Sequence, residues 1–286
     1  MKFTKIHGLG NDYIYINDLE GKINEPNQLS KVLSNRHLGI GADGIILLLK
    51  SESADFKMRI FNADGSEAEM CGNGIRGLAK YVYEHHLSKK TKLLIETNCG
   101  IKEINLNVKN NKISDITVDM GKYSLLNNDI PVVYESDINC INKGIVIDNN
   151  IFYITAISVG NPHCVIFVDD LNKINVSYLG NLIENNPMFP HKTNVEFVQI
   201  IDKNNIIMKV WERGSGETLS CGTGATASVI AGVITKRLNN DCNVHMLHGI
   251  LNIYVDTKEN KAYLTGPSEK VFDGSINTKK LHKNSL

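Results

Sequence analysis

The chain repeats itself, and this duplication constrains its fold more than any other feature of the sequence. The segment Met58 to Gly74, MRIFNADGSEAEMCGNG, aligns without a gap on the segment Met208 to Gly224, MKVWERGSGETLSCGTG. The offset is 150 residues, and five positions are identical, against roughly one expected from average residue usage. The dipeptide Gly10-Asn11 recurs at Gly160-Asn161 with the same offset. Two regions that repeat with the same offset predict two homologous halves.

Both halves carry the same kinds of secondary-structure signal. Strands are predicted at runs such as YIYIN, GIILLL and FKMRIF in the first half, and CVIFV, VEFVQII and NIIMKVW in the second. A prominent helix is expected after each repeated cysteine, and the second helix lacks a polar face, which is typical of burial. We therefore predict an α+β fold of two pseudo-symmetric lobes, each a mixed, curled β-sheet or barrel around a central α-helix. Residues 1–120 are expected to form the N-terminal lobe and residues 121–266 the C-terminal lobe, with residues 267–286 returning to the first.

Charge and cysteine usage exclude several classes of protein. Lys plus Arg equals Asp plus Glu at 31 each, so we expect no binding of nucleic acid or of an anionic membrane. No apolar run approaches a membrane span and the N-terminus resembles no signal peptide, so a cytoplasmic location is expected. The six cysteines contain no CxxC pair, which argues against a zinc site and a disulfide framework.

Two of the cysteines, Cys71 and Cys221, stand where they can do chemistry. Each precedes a predicted helix, within CGNG and CGTG. A helix N-terminus presents unpaired N–H groups and a partial positive charge, which lower the pKa of a thiol and bind a carboxylate. Inverting a stereocentre needs a base on one face of the carbon and an acid on the other. Two thiols from facing halves would supply both, so we predict an amino-acid racemase or epimerase that needs no metal or cofactor.

The chain also resembles the diaminopimelate epimerase family, through HGLGNDY, GIGADG, FNADGSEAEMCGNGIR, VGNPHCV and WERGSGETLSCGTGA. These motifs occur in the family's order over nearly the whole chain. The resemblance implies that fold and the cofactor-independent interconversion of LL- and meso-diaminopimelate, in lysine and peptidoglycan precursor synthesis. From LL to meso, it makes Cys221 the proton acceptor and Cys71 the donor. It also implies a homodimer, as in many family members.

The same resemblance implies the remaining site residues. His163 and Glu212 match auxiliary residues beside the thiols. Substrate contacts are implied for Asn11, Asn62, Gly72, Asn73, Asn161, Asn194, Glu212, Arg213, Gly222 and Thr223. Some family members have glutamine where this chain has Gly44, so no side-chain contact is expected there.

The implied partner is a small diamino dicarboxylate, and its second, unreacting amino-acid end suits two of these residues. Arg213 can pair bidentately with a carboxylate, and Glu212 can accept from an ammonium. Such a site would reject monoamino acids, whose binding would leave its polar groups unpaired. Three alternatives stay open: a proline-type racemase of the same fold, a thiol redox protein with a regulatory Cys71–Cys221 disulfide, and a non-catalytic binding module. A phenazine-synthesis-type isomerase fits less well, because that branch does not keep both cysteines.

Overall fold

A computed structural model describes residues 1–110, 112–134 and 138–277 of the chain. These residues divide into two compact units, one of residues 1–118 with 266–277 and the other of Asp119–Thr265. The lobe limits 1–120 and 121–266 come from the sequence and stay a prediction, and residues 278–286 lie outside the described part. Within the described ranges, no helix has the length and hydrophobicity to cross a membrane.

The first unit is built from strands arranged around one long helix. Its strands up to the boundary are β1 (Lys2–Gly8), β2 (Asn11–Asn17), β3 (Gly44–Leu49), β4 (Phe56–Asn62), β5 (Glu67–Ala68), β6 (Lys92–Thr97), β7 (Gly100–Lys109) and β8 (Lys112–Lys122), which crosses it. The helices are α1 (Pro26–Ser34) and α2 (Gly72–Glu84). Helix α2 packs against β1, β2, β3, β4 and β7, so it is the central helix of this unit.

The second unit repeats this plan. Its strands are β9 (Lys143–Ile147), β10 (Asn150–Ser158), β11 (Pro162–Phe167), β12 (Asn194–Asp202), β13 (Asn205–Glu212), β14 (Gly216–Thr218), β15 (Asp241–Met246), β16 (Gly249–Asp256) and β17 (Lys261–Gly266). Its helices are α3 (Val176–Glu184) and α4 (Gly222–Ile234). Helix α4 packs against β10, β11, β12, β13, β15 and β16. The chain then supplies β18 (Glu269–Ser275), which pairs antiparallel with β1 of the first unit.

The duplication extends to strand register. Strands β2 and β3 run parallel with Tyr13 opposite Gly44, and β11 and β12 run parallel with His163 opposite Asn194. Each residue of the second pair lies 150 positions after its counterpart in the first. The hairpins β4–β5 and β13–β14 repeat in the same way. An identical register preserves which side chains face the core, because a slip of one residue would turn every side chain to the other face.

The helices differ from the sequence-based expectation in one respect. Both helices that follow the repeated cysteines are present, and α4 is buried along most of its length, as its uniformly small apolar residues predict. Each unit also contains a nine-residue helix that was not predicted, α1 or α3. Helix α1 begins at Pro26, which suits the first helical turn. Helix α3 is capped by Asn175, whose side chain accepts from the Tyr178 N–H.

Candidate active site

Each repeated cysteine is the N-cap of its central helix. Cys71 has extended backbone, and its Sγ accepts the Gly74 N–H at 3.3 Å. Cys221 has the same conformation and accepts the Gly224 N–H at 3.4 Å. Sulfur thus takes the place that a Ser or Asp oxygen usually holds at a helix start. Both sulfurs lie at the positive end of a helix dipole, as the sequence predicts.

The position three residues after each cysteine must be glycine, because no space is left for a side chain between the turn and the strand beneath it. A Cβ at Gly74 would lie 2.7 Å from Ile46 Cδ1, and one at Gly224 would lie 2.7 Å from Glu196 Oε1. Real Cβ atoms do not approach other heavy atoms this closely, so each turn packs directly on the strand below it. The two contacts use equivalent strand positions, since Ile46 and Glu196 are 150 residues apart.

In the first unit, several polar side chains lie around the Cys71 sulfur. The Tyr13 hydroxyl donates to Sγ at 3.7 Å, and the thiol donates to Asn11 Oδ1 at 3.4 Å. Asn73 Nδ2 donates to the same oxygen at 3.3 Å. Asn11 Nδ2 donates to Asp43 Oδ2 at 2.8 Å, which keeps Oδ1 directed at the thiol. The structure therefore brings Asn11 and Asn73 to Cys71, and it adds Tyr13 and Asp43, which sequence reasoning missed.

A buried positive charge lies behind the same turn. Arg76 is fully buried, and its guanidinium donates to Gly72 O at 3.0 Å and to Asn73 Oδ1 at 2.8 Å. Burial lowers its pKa to about 10, while the nearby Cys71 acts in the opposite direction. Arg76 stays protonated at neutral pH, so it places a positive charge beside the turn. The signal for it was present in CGNGIR, where an arginine follows the small and apolar residues of the first helical turn.

Asn62, the remaining predicted residue of this unit, lies at the end of β4. Its side chain is half-buried, and Nδ2 donates to Ser66 Oγ at 3.0 Å within the β4–β5 hairpin.

In the second unit, three predicted residues form a series of polar contacts that ends at the Cys221 sulfur. His163 is fully buried, with Nε2 3.0 Å from Asn161 Oδ1. Asn161 Nδ2 donates to Thr223 Oγ1 at 3.4 Å. Thr223 Oγ1 in turn lies 3.4 Å from Cys221 Sγ. The structure thus brings His163, Asn161 and Thr223 to one thiol.

Glu196 completes this group and was not predicted. Its Oε1 lies 2.7 Å from His163 Nδ1, and both side chains have no exposed surface. A signal existed in the sequence, because Glu196 interrupts the otherwise apolar run VEFV of β12, and all four residues of that run are buried. A carboxylate at an inward position needs a partner.

Glu212 is the last residue of β13, and Arg213 begins the loop that follows it. Glu212 is half-buried and accepts a hydrogen bond from the Thr218 hydroxyl. Arg213 is exposed, and its Nη1 donates to His191 O at 3.4 Å. The buried Asn194 accepts from the Arg213 N–H at 2.9 Å and donates to Pro162 O at 2.8 Å. Asn194 therefore holds the Arg213 loop in place through the backbone.

The expectation that a helix start lowers the thiol pKa is wrong for Cys221. Burial raises its pKa well above the ordinary thiol value, and the negative charges of Glu212 and Glu196 raise it further. The hydrogen bonds from Thr223 and the Gly224 N–H act in the opposite direction and do not compensate. In this environment Cys221 is a neutral thiol at physiological pH, so its ionisation requires that a nearby positive charge offset these carboxylates.

A titration can test this account of the Cys221 pKa. Glu212→Gln removes one of the two negative charges, so we expect the pKa of Cys221 to fall in the protein without substrate. Ultraviolet thiolate absorbance against pH measures it, with Cys221→Ser subtracted to isolate this thiol. Glu217→Gln is the matched control, because Glu217 is exposed and accepts from Ser177 Oγ. An unchanged or raised pKa in Glu212→Gln contradicts the electrostatic account.

Comparison with known proteins decides the family. The family model for diaminopimelate epimerase matches residues 3–126 and 155–271. The chain belongs to the diaminopimelate epimerase family. The diaminopimelate epimerase of Agathobacter rectalis is 49% identical over 282 residues, covering 96% of this chain and 99% of that protein. That of Acetivibrio thermocellus is 44% identical over 281 residues, covering 98% and 100%. The resemblance stated from the motifs is therefore confirmed.

Solved structures support the predicted fold class. A phenazine biosynthesis protein of the PhzF family from Bacillus anthracis superposes with a TM-score of 0.72 at 20% identity, covering 97% of this chain and 99% of that one. A hydroxyproline epimerase from Agrobacterium vitis, with bound trans-4-hydroxy-L-proline, gives 0.68 at 14% identity, covering 96% and 90%. At these identities the likeness concerns the fold alone, and the α+β prediction is confirmed.

Proposed function

We propose that this protein epimerises diaminopimelate between its LL and meso forms by moving a proton between Cys71 and Cys221. The observation that carries this proposal is the duplicated thiol, since each cysteine caps the central helix of its unit with its sulfur on a backbone N–H. Family membership supplies the reaction, which makes the protein an isomerase of a family that works without a cofactor. The reaction serves lysine and peptidoglycan precursor synthesis.

The proposed steps conserve protons and electrons. From LL to meso, the Cys221 thiolate removes the α-proton, so that a C–H bond breaks and an S–H bond forms. The electron pair left on the α-carbon delocalises into the carboxylate. The Cys71 thiol then gives its proton to the opposite face of that carbon and becomes a thiolate. The return direction exchanges the two roles, which is why base and acid are residues of the same type.

Backbone donors are proposed to hold the reacting carboxylate. The first N–H groups of a helix have no partner within it, and they suit an anion on which charge develops. Gly72 and Asn73 begin α2, and Gly222 and Thr223 begin α4. The buried guanidinium of Arg76, which bonds the Gly72 carbonyl, adds positive charge behind the first of these turns.

Substrate binding is also proposed to ionise Cys221. Glu212 is one of the two carboxylates that raise the pKa of this thiol. An ammonium group of the substrate on Glu212 would cancel that negative charge, and the pKa of Cys221 would fall. The thiolate would then form when a diamino acid is bound. Without substrate the sulfur would stay a thiol, which is less reactive than a thiolate. Arg213 is proposed to bind the distal carboxylate, and Asn62 and Asn194 to complete the substrate site.

The alternatives find less support. Curated relatives named diaminopimelate epimerase are 42–49% identical to this chain over nearly its whole length. The hydroxyproline epimerase structure is 14% identical. A proline-type racemase or a thiol redox protein is therefore not favoured.

Location and assembly are further parts of the proposal. We propose a cytoplasmic enzyme that binds neither nucleic acid nor membrane, which the balanced charge supports. The family resemblance leads us to propose a homodimer, which sedimentation of the purified protein can test.

The direct test is incubation of the purified protein with LL-diaminopimelate in deuterium oxide. We expect the meso isomer to accumulate and to carry deuterium at the inverted carbon. Chiral chromatography with mass spectrometry measures both, and a panel of monoamino acids and proline serves as control. Recovery of unchanged, undeuterated LL substrate would contradict the proposal.

Arg213→Lys tests the role of Arg213 in binding. A lysine keeps the charge but cannot pair bidentately with a carboxylate. Charge-assisted hydrogen bonds contribute about 1.5–3 kcal/mol each, so we expect KM for diaminopimelate to rise by about tenfold or more, with a smaller change in kcat. Arg237→Lys is the matched control, because Arg237 is exposed and stacks on Phe167. An unchanged KM would remove Arg213 from the substrate site.

A further inference from the structure

A buried carboxylate holds the segment of residues 211–214, at the end of β13. Glu184 is the last residue of α3, and it is 3% exposed. Its Oε2 accepts from Trp211 Nε1 at 2.7 Å, and its Oε1 accepts from the Gly214 N–H at 2.9 Å. These two donors flank Glu212 and Arg213 in the chain. One side chain therefore holds both ends of the segment that carries these two residues.

The direction of both hydrogen bonds is fixed by the chemistry of the groups. An indole nitrogen and a backbone nitrogen only donate, so Glu184 is the acceptor in each bond. Each carboxylate oxygen meets a different donor, so a glutamine here would turn its NH2 group toward one of them. Lys192 Nζ lies 3.7 Å from Glu184 Oε1, which offsets part of the buried negative charge.

The backbone of Arg213 is also fixed from a second side. Asn194 Oδ1 accepts the Arg213 N–H at 2.9 Å, while its Nδ2 donates to Pro162 O at 2.8 Å. A backbone N–H at one end and a carbonyl at the other allow one orientation of this amide. Gly214 follows with a φ of +74°, a conformation that favours glycine. The Arg213 backbone is thus held on both sides, while its side chain is exposed.

Helix α3 brings Glu184 to this segment by packing directly on Trp211. A Cβ at Gly180 would lie 2.5 Å from Trp211 Cβ, so the helix backbone approaches the tryptophan as closely as a glycine allows. Trp211 also packs against the buried core of the second unit, to which Ile183 of α3 belongs. The carboxylate is therefore attached to a rigid element, which suits a group that positions others.

The equivalent helix of the first unit ends without a carboxylate. Counting back 150 residues, Ser34 stands for Glu184 and Ala63 for Arg213. Ser34 is buried, and its Oγ lies 3.4 Å from Ser30 Oγ. The shared fold therefore does not require a charge at this position, and the carboxylate occurs in the unit that carries the arginine.

We infer that Glu184 is a positioning residue, which fixes the place of Arg213 and thereby the binding of the distal end of the substrate. This inference rests on the proposed function, in which Arg213 binds the distal carboxylate. Both oxygens of Glu184 are bonded to the protein, so it acts through the 211–214 segment and does not touch the substrate. The effect falls on substrate binding rather than on proton transfer between the thiols.

Glu184→Gln keeps the size of the side chain but turns an NH2 group toward Trp211 Nε1 or the Gly214 N–H. A displacement of about 1 Å at a site can lower kcat/KM by about 100-fold. We expect KM for diaminopimelate to rise by about tenfold or more, while kcat changes by less than about threefold, as for lost binding that is uniform between substrate and transition state.

Asn175→Ala is the matched control. It removes the N-cap of the same helix, where Asn175 Oδ1 accepts the Tyr178 N–H at 3.1 Å, and leaves the contacts of Glu184 in place. Its KM should stay at the wild-type value. An equal rise of KM in Asn175→Ala and Glu184→Gln would reduce Glu184 to a stabilising role and overturn the inference, as would a wild-type KM in Glu184→Gln.

A double-mutant cycle tests whether the effect passes through Arg213. In an Arg213→Ala background, Glu184→Gln should raise KM no further, because the group that it positions is already gone. Effects on KM that multiply in the double variant would contradict the inference.

A spectroscopic measurement covers the case in which a variant fails to fold. Trp211 is the single tryptophan of the chain, so its indole N–H gives one NMR resonance that needs no further assignment. In the wild type this proton should resonate downfield of a free indole, because it is bonded to a carboxylate. Glu184→Gln should move it upfield, and Asn175→Ala should leave it unchanged.

A wild-type resonance at the position of a free indole would overturn the inference without any substitution. This outcome is independent of turnover. Failure of the proposed function would appear instead as a wild-type protein without epimerase activity, so the two failures are distinguishable.

Discussion

Replacing Cys71 or Cys221 by alanine is expected to lower epimerisation by at least about 10³-fold, because each thiol is one half of a two-base mechanism. Without the base the carbanion does not form, and without the acid it cannot be protonated on the opposite face. Chiral chromatography of the products after incubation with LL-diaminopimelate measures the effect. Near-normal turnover by either variant would reject the mechanism.

The two variants should fail in different ways, and this difference is the sharper test. If Cys221 is the base for the LL isomer, Cys71→Ala still allows proton removal and return on the same face. LL-diaminopimelate should then gain deuterium from solvent without inverting. Cys221→Ala should show the corresponding exchange with the D-centre of the meso isomer. Exchange of the same isomer by both variants would contradict the assignment of base and acid.

Serine variants separate chemistry from folding. Both sulfurs cap their helices by accepting an N–H, from Gly74 or Gly224. A serine oxygen is a good cap, but its hydroxyl is far too weak an acid to replace a thiol here. Cys71→Ser and Cys221→Ser should therefore keep the circular dichroism and urea midpoint of the wild type while remaining inactive.

The sequence alone predicted the parts of the site that depend on local rules. A cysteine followed by glycines at a helix start can be recognised without knowing the rest of the fold. The offset between Cys71 and Cys221 further predicted two homologous halves, and the strand register that the two units share follows from that duplication. Helices α1 and α3 occupy equivalent positions 150 residues apart, but they were missed because they are short and lie outside the two segments whose repetition is visible in the sequence.

What the sequence could not predict depends on partners that are distant along the chain. Asp43 lies 32 residues from the Asn11 amide it orients, and Glu196 lies 33 residues from His163. The pKa of Cys221 was wrongly predicted for the same reason. The helix N-terminus favours a lower thiol pKa and is visible in the local sequence. Burial and the charges of Glu196 and Glu212 raise the pKa of Cys221, and both depend on tertiary packing.

Gly77→Ala should be strongly damaging, although it adds only one methyl group. A Cβ at this position would lie 2.0 Å from Tyr15 Oη and 2.5 Å from its Cζ. Tyr15 is fully buried and cannot retreat, and its hydroxyl donates to Gly74 O at 3.0 Å, beside the Cys71 cap. We expect the free energy of unfolding to fall by about 3 kcal/mol or more, and activity to fall because the turn that holds Cys71 is displaced.

The duplication itself suggests how this clash can be relieved. The positions equivalent to Gly77 and Tyr15 in the second unit are Ala227 and Val165, both buried. Tyr15→Val alone should leave a cavity and cost about 2–4 kcal/mol. Combined with Gly77→Ala, it should give a double variant more stable than the sum of the single effects by about 1–3 kcal/mol, since a natural pair is restored.

Urea denaturation of the two single variants and the double variant measures this coupling. Gly144→Ala is a suitable control, because a Cβ there would have its nearest neighbour at 3.5 Å, an ordinary contact. Its cost should stay within about 0.5 kcal/mol. Strictly additive effects of Gly77→Ala and Tyr15→Val would contradict this coupling. The two units would then share one strand register without sharing the packing of a small residue on the central helix against a large residue on the strand. The space that Tyr15 occupies would then be set by its other neighbours, among them Tyr81, which stacks on its ring.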